Sequence, residues 1–139
     1  MKQKLFVDTN ILCAQYNPDD RLYKKAKTVK PLLQKYQPII SNFILLETYT
    51  VLSQRASRKI AIDFGERIRQ KHQYAIVWID KKLEQEVWEI FTSIKDKNFS
   101  YVDASILAVM KKEKIKYLVS FDESFVKLQK QFTFKLIGA

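Results

Sequence analysis

Short apolar runs separated by long stretches of helical period constrain this chain more than any other feature. That alternation marks an α/β domain built on a mostly parallel sheet. The runs predict strands at Lys4–Val7, Pro38–Ile40, Ala75–Ile79 and Tyr117–Ser120, with Thr133–Ile137 as an edge strand. Between them Leu22, Ala26, Val29, Leu33 and Tyr36 recur at the helical period. The same spacing joins Phe43, Leu46 and Thr50 or Val51, then Ile60, Phe64 and Ile68, and then Leu83, Val87, Ile90 and Ile94. Tyr101–Lys112 is apolar nearly all round in its first two turns, which predicts a central, deeply packed helix. The expected fold class is a three-layer α/β/α arrangement around a roughly five-stranded sheet. With 139 residues, the chain has the length for one domain, 1–139, with an ordinary core.

Charge narrows the partner. Lys and Arg number 25 against 15 Asp and Glu, a formal net charge of +10. A polyanion suits such a surface, because each cation that meets a phosphate releases condensed counterions. From Arg21 to Leu46 there are six Lys or Arg and no acid. The start MKQKLFVDTNILCA has the basic end of a secretory signal, but Asp8 and Asn10 interrupt its apolar run. No stretch approaches the ~18 apolar residues of a membrane span. With Cys13 as the one cysteine, an internal disulfide and a Cys-type zinc site are excluded, and a cytoplasmic location is expected. Two glycines, Gly65 and Gly138, cannot build a glycine-rich phosphate loop.

Four acids stand where acids are unusual. Asp8 ends the first strand in LFVDTN, and Asp122 lies just beyond another in YLVSFDESF. Strand C-termini are where open α/β sheets place their ligand crevice. Glu47 has Phe43, Ile44 and Val51 as helical neighbours, and Asp103 has Ile106 and Leu107. An ionised carboxylate in such surroundings costs several kcal/mol unless something positive meets it. Each acid also has a plain structural reading. Ser100 with Asp103, and Ser120 with Glu123, fit helix capping boxes; Asp8 and Asp122 fit turns or N-caps; Glu47 fits a lysine pair. If the four converge, their mutual repulsion calls for a cation. All-oxygen donors favour hard Mg²⁺ or Mn²⁺ over zinc. Such an ion activates water and stabilises the charge of phosphodiester hydrolysis.

Taken together, VDTNIL, the early-helix Glu47, YVDASIL and LVSFDESF resemble, in order and spacing over nearly the whole chain, a PIN domain. The likeness is to the short VapC-like toxins of type II toxin–antitoxin pairs. It implies a Mg²⁺- or Mn²⁺-dependent endoribonuclease in which Asp8, Glu47, Asp103 and Asp122 hold metal and activate water. It also implies that Thr9, Asn10 and Ser120 steady the pocket, with Ser at 120 where many relatives have Thr. KKEKIKYLVS lacks the glycine often found there in the family, which leaves the turn near Lys114 open. Relatives of this kind form homodimers silenced by a cognate antitoxin, and RNA is the implied substrate.

A haloacid-dehalogenase reading wants an acid where Asn10 stands, and a phosphoacceptor receiver wants adjacent N-terminal acids; both are absent. The serious rival is a catalytically inactive module of the same fold that binds RNA or protein. For an RNA path, Arg21, Lys24, Lys25, Arg55, Arg58 and Lys59 flank or follow the segments bearing the acids. Phe6, Phe64, Phe91, Phe125, Trp78 and Trp88 are read as core, as are Met110 and Cys13. His72 is read as a helix C-terminal residue.

Overall fold

The computed structural model describes residues 1–139, the side chain of Lys71 excepted. Five strands are present: β1 (Lys4–Val7), β2 (Gln37–Ser41), β3 (Ala75–Val77), β4 (Tyr117–Val119) and β5 (Lys135–Ile137). All neighbours pair in parallel in the order β3-β2-β1-β4-β5. The helices are α1 (Thr9–Tyr16), α2 (Tyr23–Lys35), α3 (Asn42–Arg55), α4 (Arg58–Lys71), α5 (Lys81–Ser93), α6 (Tyr101–Glu113) and α7 (Gln129–Phe132), with a 3₁₀ turn at Glu123–Leu128.

The strand order dictates the layers. From β1 through β3 the chain steps one way across the sheet, and from β3 through β5 it steps the other way. Right-handed crossovers therefore send α1–α4 to one face and α5–α7 to the other. The reversal falls between β1 and β4, so the crevice of the fold opens at their C-terminal ends. Asp8 follows β1 there, and Ser120 follows β4. Leu5, Phe6, Val7, Leu118 and Val119 are fully buried in the sheet, with Ile11, Phe64, Ile106 and Phe125 packed on its faces.

An inner-strand proline is tolerated for a local reason. Gln37 donates its N–H to Gln3 on the β1 side, so the nitrogen of Pro38 faces β3. β3 begins its pairing only at Ile39, and the missing N–H of Pro38 costs no ladder bond.

Several expectations need correction. Trp78 and Ile79 lie beyond β3, Ser120 lies beyond β4, and Thr133 is a left-handed cap at φ 54° before β5. On α3 the buried stripe is Ile44, Thr48 and Leu52, whereas Leu46 is 67% exposed. A nearly apolar sequence had disguised which face turns inward. Trp78 and Trp88 are 68% and 51% exposed, so neither belongs to the core. Helix α1 had no place in the expected pattern. Ile11, Leu12, Cys13 and Ala14 are all buried, so the helix shows no polar stripe for periodicity to detect. Lys114 ends α6 at φ 56°, occupying the left-handed conformation that glycine would take without strain.

Candidate active site

The four unusual acids line one cavity of about 690 Å³ at the sheet's reversal point. Asp8 is placed by β1 and caps α1, its Oδ1 accepting the Thr9 N–H at 2.7 Å. Ser120 donates its hydroxyl to Asp8 Oδ2 at 2.7 Å, which ties the ends of β1 and β4 together. Asn10 adds a second brace, its amide donating to Ser120 Oγ at 3.2 Å and its Oδ1 accepting the Phe121 N–H at 3.1 Å. Ser120 Oγ also accepts the Asp122 N–H at 3.0 Å. One serine hydroxyl thus connects two of the acids. The expected box between Ser120 and Glu123 does not form, because the serine is turned inward; Asp122 itself caps the 3₁₀ turn through Ser124 N–H.

Asp103 enters from the first turn of α6. There it completes the capping box, accepting the Ser100 N–H at 2.9 Å while Ser100 Oγ accepts the Asp103 N–H at 3.0 Å. The structural role and a site role therefore coexist in one residue. Glu47 comes from α3, whose Glu47, Val51 and Arg55 follow one another at four-residue steps along the cavity wall.

Electrostatics mark the same place. Asp8 is 4% exposed, and burial pushes its carboxyl up to about 7; the Ser120 hydroxyl opposes that rise, and the charge of Asp103 adds to it. Asp103 is 8% exposed and is pushed up to about 6, first by burial, with Asp122 and Glu47 contributing repulsion. Among the described residues the ion pairs are Lys59–Asp63 and Lys127–Asp96, so no lysine or arginine is ion-paired with any of the four.

The donor set suits a hard divalent cation, since it offers carboxylate and hydroxyl oxygen. Thr9 Oγ1, on the same wall, is buried without a hydrogen-bond partner among the described residues, an oxygen that an ordered water or ion shell would satisfy. Among the described residues no three acids, histidines or cysteines already stand as a closed metal-holding group. The acids instead face a space wide enough for water to complete a shell, and Mg²⁺ characteristically keeps several waters.

The cations divide. Arg21 and Arg55 line the acidic cavity, and Lys25 lies 5.0 Å from the ring centroid of Phe121 on its wall. Lys24, Arg58 and Lys59 do not line it. Arg58 begins α4, beyond the turn that ends α3, and faces a separate hollow with Tyr49 and Ile62, while Lys59 pairs with Asp63. Sequence reading missed Phe121, and it missed Asp19 and Asp20, which also line the cavity. The turn-forming run NPDDR was the available signal for the two acids. His72 does end α4, as a left-handed cap away from this site.

A parallel five-stranded sheet whose reversal point gathers unpaired carboxylates defines a class of α/β proteins with an acidic crevice. Residues 5–131 match the PIN domain, and this chain belongs to that family. It is 31% identical over 123 residues to the "23S rRNA-specific endonuclease VapC20" of Mycobacterium tuberculosis, covering 87% of this chain and 91% of that protein. The crystal structure of that VapC20, described as a sarcin-ricin loop cleaving toxin, superposes with a TM-score of 0.80 at 29% identity over 89% of this chain and 94% of the other. VapBC2 of Rickettsia felis, bound to a promoter DNA fragment, shares the fold with a TM-score of 0.69 at 17% identity, covering 97% and 98% of the two chains. Among the described residues no helix is long and apolar enough to cross a membrane.

Proposed function

We propose that this chain is a divalent-metal-dependent endoribonuclease acting as the toxin of a toxin–antitoxin pair, with a structured loop of ribosomal RNA as its substrate. The observation that carries the reading is the set of four carboxylates, none in an ion pair among the described residues, on one cavity wall at the sheet's reversal point. The substrate class and the antitoxin partner rest on the likeness to VapC20 and to toxin–antitoxin structures.

Asp8, Glu47, Asp103 and Asp122 would hold Mg²⁺ or Mn²⁺. When bound, that ion supplies a nucleophile from water near neutral pH and offsets the charge that builds on the phosphodiester. The chain's own contribution is positional. Ser120 and Asn10 keep Asp8 and the 120–122 backbone in register, and the Ser100 box orients Asp103. Arg21 and Arg55, on the same wall, meet the phosphates flanking the cut.

The test is incubation of the purified protein with an RNA hairpin in Mn²⁺ or in EDTA. Cleavage that EDTA abolishes, and that both Asp8→Asn and Asp103→Asn lose, is the expected outcome. Tight RNA binding without product would point to the inactive binding module instead.

A further inference from the structure

A second cavity, of about 560 Å³, lies on the other side of α1 and shares no lining residue with the acidic one. Helix α1 turns Thr9, Asn10 and Cys13 toward the acids, and Gln15 and Tyr16 toward this second space. α2 contributes Lys27 and Lys30, and α4 contributes Arg67. None of these three cations is in an ion pair among the described residues. The one acid on the wall, Asp63, is already 3.5 Å from Lys59. The space therefore carries unneutralised positive charge.

It also carries features that charge alone does not explain. Its floor is apolar, formed by buried Ala26, Leu33 and Ile68. Tyrosines 16, 23 and 74 stand around it, and the ammonium of Lys27 lies 4.7 Å from the ring centroid of Tyr23. Gln15 Nε2 is buried, with no hydrogen-bond partner among the described residues. Leaving such a buried donor unpaired is unfavourable, and a ligand's acceptor would satisfy it. Burial raises the Tyr16 and Tyr74 hydroxyls above their ordinary value, the Arg67 guanidinium beside Tyr16 opposing the rise there, so both remain protonated near neutral pH.

We infer that this cavity binds a nucleotide, with its phosphate at Lys27, Lys30 and Arg67 and its base against the tyrosines and within reach of the Gln15 amide. A bare phosphate would leave the apolar floor and the amide unmet, and a neutral aromatic would leave the cations unmet. The volume is that of an ordinary small-ligand site. The nucleotide has two possible sources: a free ribonucleoside monophosphate, or one residue of an RNA strand that also crosses the acidic cleft. α1 spans about 12 Å, so a strand passes its C-terminal end within a few nucleotides.

The experiment is calorimetric titration of the wild-type chain in EDTA, where nothing is cut, so its result does not depend on the ribonuclease reading. The probes are the four ribonucleoside 5′-monophosphates, inorganic phosphate and an RNA octamer. Each is repeated with the double variant Lys30→Ala/Arg67→Ala, with Gln15→Leu, and with the cleft control Arg21→Ala/Arg55→Ala. Circular dichroism checks folding; the substituted lysine and arginines are exposed. At least one monophosphate is expected to bind one per chain and more tightly than inorganic phosphate. Its affinity should fall about tenfold in the Lys30/Arg67 variant and in Gln15→Leu, and should hold in the cleft control. An octamer weakened by both double variants assigns the nucleotide to the strand, and an octamer weakened only by the cleft variant assigns it to the free pool. The inference is overturned if neither monophosphate nor octamer depends on Lys30 and Arg67. It is equally overturned if inorganic phosphate binds as tightly as every nucleotide.

Discussion

The two faces of α1 make opposite environments from one short helix. On one side are acids without paired cations, two of them deeply buried; on the other are cations with a single, already paired acid. The acidic side depends on strand ends, because Asp8 and Ser120 are fixed where β1 and β4 stop. The basic side depends on helix faces, because Lys27 and Lys30 project from the polar side of α2. The contrast teaches that a net charge of +10 says little about any one site. Charge here is sorted by topology, and chemistry follows the sorting.

The sharpest way to break the contrast is to remove an acid. Asp8→Asn or Asp103→Asn should reduce RNA cleavage by about 100-fold or more, because charge stabilisation at the phosphodiester is lost; cleavage assays on a hairpin substrate read it directly. Equal loss from Lys30→Ala would show that the two faces are not separate machines. Ser120→Ala removes the hydroxyl that orients Asp8, and roughly 10- to 100-fold loss of activity or metal affinity is expected. Ser120→Thr keeps that hydroxyl and should retain most of the activity; an equally damaged threonine variant would shift the blame to packing, since Ser120 is fully buried.

Titration sharpens the comparison further. In the folded, metal-free chain Asp8 and Asp103 hold their protons up to about 7 and about 6, against an ordinary 3.8 in the unfolded chain. Folding therefore favours their protonated forms. The contribution of these two acids to metal-free stability should be greatest below that ordinary value and should be lost as pH rises through 6 and 7. Thermal melts in EDTA across this range test the sign. At about pH 8, Asp8→Asn should melt a few degrees above wild type, because a buried negative charge is gone. A lower melting temperature would show that hydrogen bonding to the carboxylate outweighs its burial. For Asp103→Asn the capping box adds an opposing loss, so its stability change should be smaller than that of Asp8→Asn.

Salt dependence separates cations that touch RNA from those that do not. Arg21→Ala/Arg55→Ala should flatten the slope of log affinity against log salt by about 1.4, the value for two phosphate contacts on a single strand. Arg58→Ala/Lys59→Ala should leave it unchanged, because neither residue lines the cleft. The smallest effect lies far from both faces. Lys114→Gly should stabilise the chain by about 0.5 kcal/mol, as relief of the left-handed strain exceeds the added backbone entropy; urea melts would read it.

Much of this molecule was legible before its coordinates. β1 spans the residues its apolar run predicts, and α6 is buried from Asp103 to Met110 because its early turns are apolar on every side. The parallel order follows from alternating strand and helix patterns. The same all-round apolarity that exposed α6 concealed α1, which is too short and too evenly buried to show a stripe. The tryptophans misled because bulk and hydrophobicity describe the side chain, not what covers it: Trp78 follows the edge strand β3, and Trp88 lies on α5 away from its buried residues Leu83 and Val87. Positional logic picked out the four acids that share the cavity, whereas Ser120, which bonds Asp8, was picked out by the family resemblance and not by its position. Positional logic could not find Phe121, Asp19 or Asp20, whose approach to the cavity depends on how loops close in space. Nor could it sort the six candidate cations, because a helix presents several directions and only its packing chooses one.

The central claim is that Asp8, Glu47, Asp103 and Asp122 act together as one divalent-ion site. Calorimetric titration of the metal-free chain with Mn²⁺ tests it most directly, on wild type and on Asp8→Asn, Glu47→Gln, Asp103→Asn and Asp122→Asn in turn. Saturable binding that every one of the four substitutions weakens is the predicted result. Mn²⁺ affinity unchanged by all four would contradict the account.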